Sequence, residues 1–209
     1  MLRFAPMSAQ YIDNTMRMFT EATLVPKGFW SYARGDDAHL DGVLSDLRRR
    51  LQAEIAILLG HKVDIFQDIN ELRVGDLWAD RLRNEVSEAT FLIPILTPTY
   101  FNRPWCREET MTFLALASES GKKPLIFPVL FVEYDNDPNC EVKSAIAQYQ
   151  YGDFSQWRFI SNPTEKSRIE SRFAQDIKGA LKHTQTVKNR ITYRVFRTFD
   201  RDGGSFQIV

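Results

Sequence analysis

The sequence predicts a doubly wound α/β domain with a parallel sheet, and three observations carry that prediction. Strand-length and helix-length apolar patterns alternate along the chain from residue 28 onwards. Two strand segments, TFLIPIL at 90–96 and KPLIFPVLFV at 123–132, are continuously apolar, the pattern of strands buried on both faces. Polar connections follow strands at 33–41, 67–77 and 97–105, and in such sheets ligands bind outside the carboxyl ends of the strands.

Taken in order, residues 1–27 carry a weak helical signal, with Tyr11, Met16, Phe19 and Leu24 spread through it. GFWSYA (28–33) predicts a short buried strand that stops at ARGDD. Between Leu40 and Leu59, apolar Leu44, Leu47, Leu51, Ile55 and Leu58 recur at spacings of three and four. That is an amphipathic helix, with Asp41 as a cap near its start and Gly60 as its stop. KVDIF (62–66) predicts a second strand, and QDINELRVGD (67–76) is a polar connection of above-average length. WADRLRNEVSEA then sets Trp78, Leu82 and Val86 at helical spacing, with Trp78 read as core.

Pro94 and Pro128 stand inside the two continuous apolar runs. Proline ordinarily counts against a central strand, so the hydrogen-bond ladder is expected to break near both. A helix opens between these runs at Pro104 and Trp105 and ends at Gly121. QYQYGDF (148–154) predicts a short strand, and Asn162-Pro163-Thr164 opens a helix carrying Ile169, Phe173, Ile177 and Leu181 every four residues. The tail ITYRVF…SFQIV (191–209), joined through Asp-Gly-Gly, predicts a β-hairpin. The expected organisation is an N-terminal extension (1–27), one domain (28–183), and a C-terminal extension (184–209) that is a linker or the start of a further domain.

Composition narrows the function classes. The chain of 209 residues is 44% hydrophobic and 12% aromatic, with 27 basic against 27 acidic residues. A formal net charge of zero supplies no field to gather nucleic acid or an anionic membrane, and Arg48–Arg50 reads as a solvated helix face. No apolar run approaches the roughly 20 residues of a membrane span. The histidines His39, His61 and His183 are scattered, with neither an HExxH nor a Cys/His pair at metal spacing, so no metal is expected. Two cysteines, Cys106 and Cys140, and an opening without the pattern of a secretion signal fit a reducing cytoplasm.

The chemistry concentrates in FNRPWCREET (101–110). Taking Trp105 as the origin and about 100° per residue, Leu116 falls at about 20°, Glu109 at about 40°, Phe113 at about 80° and Cys106 at about 100°. Glu109 thus lies inside an apolar stripe together with Trp105, whereas Glu108 falls at about 300°, between Thr112 and Ala115 on the solvent side. A carboxylate facing the core is paired, protonated, or placed at the mouth of a cleft. The plainer reading is a first-turn glutamate favoured by the helix dipole and paired with Arg103 or Arg34.

FWSYARGDD after a short strand, DIFQD followed by LRVGDLW, then LIPILTPTYFNRPWCREE and KPLIFPVLF together resemble a bacterial Toll/interleukin-1 receptor (TIR) domain over about residues 28–183. The resemblance implies a flavodoxin-like fold with a five-stranded parallel sheet. It also implies an NAD⁺ glycohydrolase or ADP-ribosyl cyclase of the kind used in antiphage defence, cleaving the nicotinamide–ribose bond with NAD⁺ as substrate and no cofactor. The catalytic glutamate of such enzymes ends a W-x-x-x-E pattern at a helix start, here Trp105 to Glu109. By the same resemblance Ser31 to Asp37 line the pocket, with Phe29, Tyr32 and Arg34 near the nicotinamide ribose or diphosphate. Plain strand packing is the other reading of Phe29 and Tyr32. Asp68, Leu72 and Gly75 fall in the family's long second-strand loop, which mediates contacts between neighbouring domains.

Self-association is therefore expected to complete the pocket and regulate activity, with a sensor domain or protein as a further partner. Members without catalysis scaffold homotypic protein interactions, and that is the alternative function. A phosphoreceiver is disfavoured, because SYARGDD lacks the paired acids backed by a later lysine, and no Gly-rich phosphate motif occurs.

Overall fold

The computed structural model describes residues 25–67, 83–84, 86–135, 137 and 139–202, with side chains as far as Thr184. Strand β1 (Lys27–Ser31) leads into α1 (Arg34–His39) and α2 (Val43–Leu59), followed by β2 (Asp64–Phe66) and β3 (Phe91–Leu96). Then come α3 (Pro98–Asn102), α4 (Pro104–Glu119), β4 (Val129–Leu130), α5 (Glu141–Ile146), β5 (Gly152–Asp153) and α6 (Pro163–Asp202), the last preceded by a 3₁₀ turn at Trp157–Phe159. The sheet is parallel throughout, in the order β2-β1-β3-β4-β5. That is the flavodoxin order, whose strand direction of travel reverses between β1 and β3. The predicted α/β class and the five-stranded parallel sheet both hold.

Strand alternation sorts the core into two faces. Trp30, Phe91, Ile93 and Ile95 pack with Leu44, Leu47, Leu51 and Ile55 of α2 and Phe173, Ile177 and Leu181 of α6. Phe29 and Leu92 face the other way, onto Phe113 of α4. Each fully buried Leu or Ile of the α2 stripe contributes about 2 kcal/mol of burial, which is why the stripe fixes the rotation of that helix against the sheet.

The two prolines act differently. Around Pro128 the ladder is interrupted, pairing only at Leu92↔Ile126 and again from Ile95↔Val129. β3 nonetheless runs unbroken through Pro94, which still pairs with Ser31. The reason lies in which edge lacks a donor. The Leu92 N–H donates towards Leu125, so two residues on, the missing N–H of Pro94 falls on the same side, where the ladder is already open.

Two expectations need correction. The cap of α2 is Asp37, not Asp41: its carboxylate accepts from the backbone of Leu44 (2.8 Å) and Ser45 (3.2 Å) and from the Ser45 hydroxyl (2.6 Å). Asp41 and Gly42 sit at φ +50° and +81°, turning the chain so that the preceding acid, not the adjacent one, overhangs the helix start. Second, residues 191–202 continue α6 where a hairpin strand was expected. ITYRVF alternates like a strand, yet no Gly or Pro interrupts residues 180–202, so a helix nucleated and packed upstream propagates through them. The helical signal of the first 24 residues, Trp78 and Leu82, and the Asp-Gly-Gly turn beyond Asp202 lie outside the described residues. Three short helices, α1, α3 and α5, had no sequence expectation, the first two lying in segments read as connections.

Gly28 carries a stability test. A Cβ there would run into the Phe91 ring, which is fully buried. Gly28→Ala is expected to destabilise the protein by about 1–3 kcal/mol, the usual penalty for overpacking. Chemical denaturation would read this as a lower midpoint with an unchanged slope.

Candidate active site

The site lies at the carboxyl ends of β1 and β3, where the strand order reverses. Ser31 is the last residue of β1, and Thr97 follows the last residue of β3. Thr97 caps α3, accepting from the Tyr100 N–H at 3.0 Å, with Pro98 supplying the first helical residue. Pro104 does the same for α4, and this short helix-proline-helix corner brings the first turns of α4 over the end of β1.

Glu109 on α4 is buried, 9% exposed, while its neighbour Glu108 is exposed. The helical wheel separated the two correctly. The Ser31 hydroxyl, itself 1% exposed, donates to Glu109 Oε2 at 2.5 Å. Behind it a chain of hydroxyls runs on: Ser31 Oγ to Tyr100 Oη at 2.8 Å, Tyr100 Oη to Thr110 Oγ1 at 2.7 Å, and Thr110 donating to the Cys106 carbonyl at 3.1 Å. Thr97 extends the polar cluster outward by donating to Asp36 at 2.6 Å. The hydroxyl chain thus ties β1, α3 and α4 around the carboxylate, and the Thr97–Asp36 bond, which meets α3 at the Tyr100 backbone N–H, ties in α1 beside it.

Burial, followed by the neighbouring Cys106 and Glu109, pushes the Tyr100 phenol well above its ordinary value, so it remains a hydroxyl. Burial likewise raises the Cys106 thiol, with Glu109 and then Asp36 adding to it. Cys106 therefore keeps its proton and packs in the core, and is no nucleophile.

The sequence-predicted residues divide. Ser31 and Glu109 are in direct contact. Phe29 is fully buried, edge-on to Phe66, so its side chain packs in the core. Tyr32 is half-buried on the α2 side, against the cluster that holds Trp30 and Leu44, and so packs across the sheet from Glu109. Burial and then Asp37 raise its phenol. Arg34 opens α1 and is exposed. Trp105 is 46% exposed, a correction to its predicted inward position. It stands at the first turn of α4, where the face that is core-directed further along still opens to solvent. Asp68 and Leu72 lie outside the described residues.

Asp36 falls in the Ser31–Asp37 segment expected to line the pocket, whereas sequence reasoning missed Thr97, Tyr100 and Thr110. Thr97-Pro98 was legible as a cap followed by a first helical residue, and Thr110 stands four residues after Cys106, the spacing at which a threonine bonds back to its own helix. Nothing in the local sequence marks Tyr100. A groove of about 830 Å³ runs elsewhere, beside β5 and α6, and none of the predicted site residues lines it. No described helix is long and apolar enough to cross a membrane.

Fold and site together define a flavodoxin-ordered α/β domain with a buried, hydroxyl-held carboxylate at its strand-reversal point. The chain belongs to the TIR domain family, whose match spans residues 29–170. Among solved structures it is similar to the TIR domains of the activated Roq1 resistosome directly recognizing the pathogen effector XopQ, at 18% identity. That likeness covers 73% of this chain and 99% of that one, with a TM-score of 0.49. It is also similar to the TIR domain of the Toll-related receptor TRR-2 from Hydra magnipapillata, at 15% identity over 61% of this chain and 82% of that one, TM-score 0.41. No curated protein matches the chain.

Proposed function

We propose that this protein cleaves the nicotinamide–ribose bond of NAD⁺, as a glycohydrolase or ADP-ribosyl cyclase, with Glu109 as the catalytic carboxylate. The observation that carries the reading is Glu109 itself, buried and held by Ser31 at the ligand-binding end of a TIR sheet. Nicotinamide departs from a cationic pyridinium as a neutral molecule. Its departure needs no general acid, unlike the alcohol of a sugar glycoside. One carboxylate therefore suffices, binding the ribose hydroxyls and stabilising the positive charge that develops at the anomeric carbon. Water attack then gives ADP-ribose, and attack by an adenine nitrogen gives a cyclic product.

Trp105, half-exposed at the lip of the same helix, offers a surface for the nicotinamide or adenine ring, and Arg34 a charge for the diphosphate. The family's mode of assembly suggests that a second copy completes the pocket, and that cytoplasmic NAD⁺ depletion in antiphage defence is the biological setting, triggered by a sensor.

The test follows nicotinamide release across a range of protein concentrations, with crowding agent at the top of the range and chromatography to separate linear from cyclic ADP-ribose. Release per molecule is expected to rise with concentration. No release at any concentration, from protein that demonstrably self-associates, would reject the enzyme and favour a scaffold for homotypic interactions.

A further inference from the structure

Helix α6 is far longer than the sheet it packs against. At about 1.5 Å per residue, its 40 residues extend about 60 Å, whereas the six residues of β3 span about 20 Å. Among the residues whose side chains are described, its last core position is Leu181. The backbone therefore carries about 30 Å of helix past that point, to Asp202.

This projecting segment is basic, although the chain as a whole has a formal net charge of zero. Residues 185–202 hold Lys188, Arg190, Arg194, Arg197 and Arg201 against Asp200 and Asp202. Taking Val187 as the origin and about 100° per residue, the four arginines all fall between about 280° and 340°. Val187, Ile191, Val195 and Phe199 step from the origin to about 120°, and Phe196 follows at about 180°. An arginine stripe thus borders an apolar arc along one helix. Lys188 falls within the arc at about 100°, where the long apolar stem of a lysine suits an interface. Asp200 falls on the remaining side, at about 220°, and Asp202 ends the helix.

We propose that residues 187–201 of α6 are a docking helix for the surface of an anionic phospholipid bilayer, lying in the interface without crossing it. The arc supplies the apolar face that enters the boundary between headgroups and acyl chains, and the arginines supply the charge that meets lipid phosphates. Spacing argues against a second copy as the occupant. A coiled-coil seam needs apolar residues at alternating steps of three and four. Here the apolar residues step by four each time, and the residues that step four, three, four are Arg190, Arg194, Arg197 and Arg201. Pairing two copies along that seam would set like charges together. A nucleic acid would engage the arginines and leave the apolar arc without a role, whereas a bilayer uses both. Attachment confines copies of the chain to a plane and raises the rate at which two meet, which would favour the self-association proposed above.

The test is flotation of the full chain with vesicles of phosphatidylcholine alone and of phosphatidylcholine mixed with phosphatidylglycerol. Binding is expected to the mixed vesicles only, and it should weaken as salt rises. Arg190→Gln with Arg194→Gln should weaken it by about twenty-five-fold, about fivefold for each charge removed. Ile191→Gln with Val195→Gln should weaken it by at least about tenfold through the arc alone. Glutamine keeps helix propensity, and all four positions lie past Leu181, so melting of the domain should match the wild type. No binding to the mixed vesicles, or equal binding to both kinds, would overturn the proposal. So would binding that survives loss of the arc, which marks a general polyanion site; a duplex DNA probe would then bind as tightly as the vesicles. The measurement contains no NAD⁺, so docking can fail while cleavage stands, and cleavage can fail while docking stands.

Discussion

Glu109→Ala is expected to bring nicotinamide release down to background, a loss of at least about a hundredfold, while the protein stays folded. Both halves of that expectation follow from the site. The carboxylate is the one acid in the described network that is buried on the cleft side of α4 and held by a hydroxyl from the adjacent strand end. Without it, the remaining acid of the network is Asp36, which is bound to Thr97 and does not contact Ser31. Removal of Glu109 leaves Ser31, Tyr100 and Thr110 as three donors for three contacts ending on the Cys106 carbonyl, so no buried hydroxyl is stranded.

Glu109→Gln sharpens the test. The amide oxygen can still accept from the Ser31 hydroxyl, yet the side chain carries no charge. It should be folded and as stable as the wild type, and equally inactive. Circular dichroism and thermal melts alongside the nicotinamide assay check both variants. Full turnover by either folded variant would remove Glu109 from the mechanism.

How much of this was legible in the sequence depends on the range of the forces involved. The period of 3.6 on α2 and α4 is set by local geometry, so the burial of Leu44, Leu47, Leu51 and Ile55 and the separation of Glu109 from Glu108 could be read directly. The continuous apolar runs announced a parallel sheet for the same reason: each strand must be apolar on both faces. The hydrogen-bond chain behind Glu109 could not be read from periodicity; only the family resemblance placed Ser31 at the pocket, and nothing marked Tyr100. Ser31 and Tyr100 lie 78 and 9 residues away along the chain, and only strand register and the corner at Pro104 bring them together. The strand reading of 191–196 failed in the opposite way. A local β-like alternation was overridden by an uninterrupted helix already packed upstream. Trp105 shows a third limit, for periodicity gives the direction of a side chain but not where the protein ends along the helix axis.

The second large effect is expected on stability, at the seam between α2 and α6. Glu170 of α6 is 4% exposed, and Arg50 of α2 grips it with two bonds of 2.9 Å, while the Trp157 indole N–H adds a third at 2.9 Å. Arg50 is partly at the surface, its side chain 37% exposed, so the pair is asymmetric: the acid is committed to the interior and the base is not. Glu170 strengthens the Arg50 charge chiefly through that hydrogen bond, against a smaller opposing effect of burial. Arg50→Ala therefore strands a buried carboxylate with only the indole as donor, and should cost about 3 kcal/mol, the low end for breaking a buried pair because water can reach the vacated side. For a protein of this size that corresponds to a melting point lower by about 6–12 °C. Arg50→Met combined with Glu170→Leu removes both charges and keeps apolar volume, leaving only the Trp157 N–H short of a partner. It should recover most of the loss. A double variant no more stable than Arg50→Ala alone would show that the stability resides in the α2–α6 packing and not in the charges. The clamp stands on the α2–α6 side of the sheet, across from Glu109 on α4, so its loss should lower the melting point and leave nicotinamide release by the folded protein unchanged.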